Sequence, residues 1–109
     1  MDESEVLKFE QQVRPMRLSE AIRLGARLRP QLTSGLWQEN GMSCAIGAAY
    51  EADTGIFSED LILPASWMVL HRPAFCEYEN KYGISIMKDN DKKKIPREAI
   101  ADRLEAIGF

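Results

Sequence analysis

The sequence has one histidine, two cysteines and no apolar run of transmembrane length. Each scarcity excludes something. With His71 alone, any imidazole chemistry rests on one side chain, and multi-histidine metal centres are out of reach. Cys44 and Cys76 stand far apart, so they make neither a disulfide framework nor the short-spaced pair of structural zinc sites. Without about 18 consecutive apolar residues, no membrane-crossing helix is expected. No basic leader followed by an apolar stretch opens the sequence, so the expected compartment is the reducing cytoplasm, with both cysteines as thiols. Excess charge is also lacking: 14 Lys+Arg face 17 Asp+Glu, a net charge of -3. That balance gives no overall drive towards nucleic acid or anionic membrane. Repeats and low-complexity tracts are absent. The 109 residues suit one domain with a single core.

What is present is helical patterning. The stretch 41–55, GMSCAIGAAYEADTG, reads as one short helix marked at both ends. Ser43 suits the N-cap, and Gly55 suits the left-handed position beyond the end. Ala45, Ala48, Ala49 and Ala52 recur at helical spacing and predict a flat apolar face. Gly25 and Gly47 each cost a helix interior about 1 kcal/mol relative to alanine, which predicts a close helix–helix crossing.

Around that helix the pattern predicts others. Residues 3–13 form a loosely docked N-terminal helix ended by Pro15. Residues 19–29 form a second, capped by Ser19, with Ala21, Ile22, Gly25 and Leu28 inward, and stopped by Pro30. Residues 31–42 read as a loop in which Trp37 covers the mouth of the central helix. Ser58 caps a turn over 59–63, and 64–71 make another short helix, ended by the Arg72-Pro73 pair. Residues 75–82 form an aromatic-rich helical turn closed by Gly83, and 84–87 a short extended segment. The run KDNDKKK (88–94) reads as a solvated charged turn. Residues 96–107 make the last helix, with Ile100, Leu104 and Ile107 in a stripe, Gly108 as a left-handed cap, and Phe109 folding back. The expected fold is all-α: a single domain of about five helical segments around the small-residue helix.

Three phrases together, LSEAIRLGA, SCAIGAAYEA and ND…REAIADRLE, resemble a group of small uncharacterised bacterial and phage-associated proteins. The resemblance spans most of the chain from Leu18 onwards. It implies the same helix order and no activity.

Few residues carry chemistry. A thiol at the start of a helix is stabilised as thiolate by the dipole and free amides, which makes Cys44 the candidate nucleophile. His71 is the only available base, and Asn80 or Asn90 the candidate to orient it, in a Cys–His–Asn order. The competing reading of Cys44 is a small buried residue. Cys44, His71 and Cys76 with Asp89 or Asp91 are the one conceivable metal set; the spacing is wrong for zinc, and no metal or cofactor is expected. A calcium loop at Asp89 fails because Lys93 and Lys94 occupy ligand and glycine positions. Arg14, Arg17, Arg23, Arg27 and Arg29, with Lys92–Lys94, offer basic patches for a nucleic-acid role. The thin catalytic inventory and the aromatics Trp37, Trp67, Tyr78 and Tyr82 favour a different class: a non-enzymatic interaction or regulatory module, self-associating or bound to another protein.

Overall fold

A computed structural model describes residues 16–33, 41–56 and 63–109. Those residues form an all-α bundle of six helices: α1 (Leu18–Ala26), α2 (Ala45–Thr54), α3 (Ala65–Leu70), α4 (Arg72–Tyr82), α5 (Ile86–Asp91) and α6 (Arg97–Ala106). No sheet occurs among them; a single bridge joins Gln31 to Ser43. The predicted helix over 3–13, Trp37 and the turn capped by Ser58 lie outside the described residues.

Of the predicted inward residues Ala21, Ile22 and Gly25 are buried, joined by Leu18, but Leu28 is 59% exposed, because the helix ends at Ala26 and no longer carries it onto that face. Each large buried member contributes about 1.5–3 kcal/mol by leaving water. α1 begins one residue before Ser19, which lies buried inside the helix and does not cap it; Arg17 is the N-cap and offers no side-chain bond. An open amide of that first turn is met instead from the far end of the chain: Ser19 N donates to Phe109 O at 3.1 Å. α1 also stops at Ala26, short of the predicted Arg29. The reason is Arg97, whose guanidinium takes the carbonyls of Ala26 and Arg29 at 3.2 and 2.5 Å. Carbonyls that would otherwise seek the next helical turn are thereby satisfied.

α1 packs most extensively on α2 and next on α6. The expected close crossing exists. A Cβ on Gly25 would overlap the carbonyl carbon and oxygen of Ala48, so only glycine admits this approach. α2 is more enclosed than a one-faced helix: every residue from Ala45 to Glu51 is buried. The predicted alanine face is therefore one part of a rod wrapped on all sides. α6 docks chiefly against α1, contrary to the expectation that it lies on α2.

Beyond α2, Gly55 (φ 76°), Gly83 (φ 72°) and Gly108 (φ 92°) adopt the left-handed conformation at helix ends where the pattern placed them. The short helix α3 does end at Leu70, just before the Arg72-Pro73 pair, but the pair has a second role. It opens α4, since a proline in the first turn removes only an amide that has no partner there. Residues 84–87 are not an extended segment: Ser85 is extended as the N-cap whose Oγ accepts from Lys88 N at 3.3 Å, and Ile86 already begins α5.

The largest departure is KDNDKKK. Its first half is helix, and Asp89 and Asn90 are 0% and 1% exposed. Asp89 accepts from the Tyr78 hydroxyl at 2.5 Å and from Arg103 at 2.9 Å. Arg103 in turn lies over the Tyr82 ring at 5.2 Å, and Tyr82 donates to the Arg103 carbonyl at 3.1 Å. This polar knot ties α4, α5 and α6 together.

Candidate functional site

At the head of α2, Cys44 itself is the N-cap, one place later than the predicted Ser43. Its Sγ accepts from Gly47 N at 3.3 Å. Ser43 is fully buried and faces Arg97, which donates to its Oγ at 3.1 Å and its carbonyl at 3.2 Å. The first amide of the helix, Ala45 N, donates to Asn90 Oδ1 at 3.2 Å. Asn90 completes the corner: Oδ1 also accepts from Gln31 Nε2 at 2.9 Å, and Nδ2 donates to Leu32 O and Asp91 Oδ1, each at 2.7 Å. A guanidinium from α6 and an amide from α5 thus hold the 31–32 and 43–45 strips side by side.

This corner does not activate the thiol. Burial pushes the Cys44 pKa above its ordinary value, outweighing the amides of Gly47 and Ile46 that favour thiolate. The expectation of a depressed pKa is corrected on that ground: the same residues that surround the helix start exclude water from it. At neutral pH Cys44 is a neutral, buried thiol.

His71 stands elsewhere. Its ring packs on Trp67 with centroids 4.5 Å apart, and Trp67 meets Tyr50 edge-on at 5.3 Å. Trp67 Nε1 donates to Asp53 Oδ2 at 2.8 Å. Tyr50 and Asp53 belong to the C-terminal half of α2, and Asp53 is about 13 Å along the helix from Cys44 at 1.5 Å per residue. Burial lowers the His71 pKa, and the Asp53 charge opposes this. Asn90 is thus brought to the head of α2, while His71 contacts groups of the opposite end. The four hydrogen bonds of Asn90 go to Leu32, Gln31, Ala45 and Asp91, and none to His71. Among the described residues no three His, Cys, Asp or Glu side chains converge to hold a metal ion.

Two of the four proposed contact aromatics, Trp67 and Tyr78, are corrected too. Trp67 and Tyr78 are 5% and 0% exposed, and Tyr82 is half-buried. Large rings in a small domain fill its interior, and their polar atoms find internal partners. The arginine face is partly neutralised: Arg23 pairs with Asp102 and Glu105, each at 2.7 Å, and Arg29 makes a two-pronged contact with Glu51 at 2.9 Å.

Among the described residues an open apolar hollow of about 200 Å³ lies where α3, α4 and α5 meet. Ile46 of α2 contributes to it, with Met68, Phe75, Ile86 and Met87 around it, and Ser85 and Glu79 at its polar margin. A second shallow hollow shares Ser85 and Met87 and continues over Lys88, Asp91 and Lys92. Met87 is 50% exposed, and on α3 Val69 and Leu70 are 54% and 59% exposed. The sequence pattern makes Leu70 a core candidate beside Trp67, with Met68 or Val69 as a further one; Trp67 is buried, but Leu70 and Val69 are exposed, because which face of so short a helix is covered is set by tertiary packing. No helix among the described residues is long and apolar enough to cross a membrane. Comparison with protein-family models, curated proteins and solved structures found no match.

Proposed function

We propose that this domain works by holding another protein, without catalysis, and that the hollow between α3, α4 and α5 is where the partner sits. One observation carries the reading: Met87, Val69 and Leu70 are left half or more exposed on the helices that line an apolar hollow. Exposed apolar area forgoes about 25 cal/mol per Å² that a partner's surface would recover. The groups singled out for catalysis, Cys44, His71 and Asn90, are all buried. Cys44 is sealed, Asn90 and Arg97 bind the backbone of other segments, and His71 packs among aromatics.

Replacing Met87 by a photo-crosslinking phenylalanine analogue tests this in living cells. Covalent adducts are expected from Met87 and Val69, and none from the same analogue at exposed Glu98 on α6. Equal yields at all three positions, or none from the hollow, would remove the reading.

A further inference from the structure

We infer that the partner at this hollow is a second copy of the same chain, docked groove to groove across a two-fold axis near Met87. This rests on the docking reading above and names its occupant. The two adjoining hollows carry opposite charges. Exposed Glu79 lines the apolar one, Lys88 and Lys92 line the other, and the two share Ser85 and Met87. Asp91 lines the second hollow too and keeps its charge while accepting from Asn90 Nδ2 at 2.7 Å, so the two lysines leave this part with a net single positive charge. Glu79, Lys88 and Lys92 have no ion-pair partner among the described residues.

A pair of adjoining hollows of opposite charge is complementary to itself after a half-turn, which is the requirement of an isologous contact. The rotation brings each Glu79 to the other copy's Lys88 and Lys92, and each Met87 to the other copy's hollow. Methionine is flexible enough to fill such a space. A parallel arrangement would set like charges together, so the same charges fix the orientation. A partner carrying a single sign of charge would be repelled at one of the two hollows.

The full-length protein in sedimentation equilibrium, with charge-reversed variants, is the test. Wild type is expected to show a reversible monomer–dimer equilibrium in the micromolar range. Glu79→Lys alone, and Lys88→Glu with Lys92→Glu, should each weaken it by about tenfold or more, since two symmetric contacts turn repulsive at once. Mixing the two variants should restore association as a heterodimer, because both contacts are then attractive again. The three changes in one chain should restore the homodimer. These residues are exposed, and unchanged urea midpoints confirm that each variant folds. A strictly monomeric wild type, unaffected variants, or failure of the mixture to recover would overturn the inference. If wild type is monomeric yet Met87 still crosslinks to a different protein, self-pairing falls and the docking reading stands; if neither occurs, both fall.

Discussion

Replacing Asn90 by leucine removes a buried hub while keeping its approximate volume. In the native corner Asn90 donates to Leu32 O and accepts from Ala45 N and Gln31 Nε2. Gln31 keeps a second acceptor, the Ile95 carbonyl at 2.8 Å. The Leu32 carbonyl and the Ala45 amide lose the Asn90 side chain and lie too deep for water to replace it easily. A buried polar main-chain group stripped of its partner costs about 1–3 kcal/mol. Two such groups put Asn90→Leu at about 2–6 kcal/mol of lost stability, a large share of the 5–15 kcal/mol typical of a domain. Asp91→Ala is the control, because it removes only the half-buried acceptor and should cost under about 1 kcal/mol. Urea unfolding followed by circular dichroism reads both. A loss below about 1 kcal/mol for Asn90→Leu would show that the corner is not held as described.

Three further outcomes follow from other parts of the fold. Gly25→Ala should destabilise by about 1–3 kcal/mol or more despite alanine's helix preference, since the obstacle is the Ala48 backbone and cannot rotate away; a stabilised variant in urea unfolding would refute the close crossing. Lys94 adopts φ 54°, so Lys94→Gly should raise stability by about 1 kcal/mol in the same assay, and a loss would contradict the left-handed geometry. His71 has a folded pKa below the usual 6.5, so the unfolded chain binds its proton first: stability from this group is full above about 6.5 and declines as pH falls through that value. Urea midpoints taken on either side of it should converge less steeply in acid for His71→Phe, and identical slopes would place the imidazole in solvent.

The helices with a clean apolar period were legible in the chain, and so were the glycine stops. Ala21, Ile22 and Gly25 recur at the spacing that buries them, whereas Leu28, expected beside them, lies past the helix end and is exposed; Gly55, Gly83 and Gly108 sit where a left-handed residue is needed. The stretch around Asp89 and Asn90 was not legible. Its composition is that of a solvated turn, and its burial depends on partners distant in sequence: Gln31, Leu32, Ala45, Tyr78 and Arg103. Arg97 left a faint local sign. A cation in the first turn of a helix runs against the dipole, and here the conflict is offset by the Ser43, Ala26 and Arg29 oxygens it binds. The aromatics misled because ring-rich composition is the same for a contact surface and for a core.

Cys44 is buried as a structural thiol at the head of α2, away from solvent. Alkylation of the native protein by iodoacetamide at neutral pH, read residue by residue by mass spectrometry, tests this most directly. Exposed Cys76 should be modified readily, and buried Cys44 only after urea opens the fold. Native-state modification of Cys44 as fast as that of Cys76 would contradict the account.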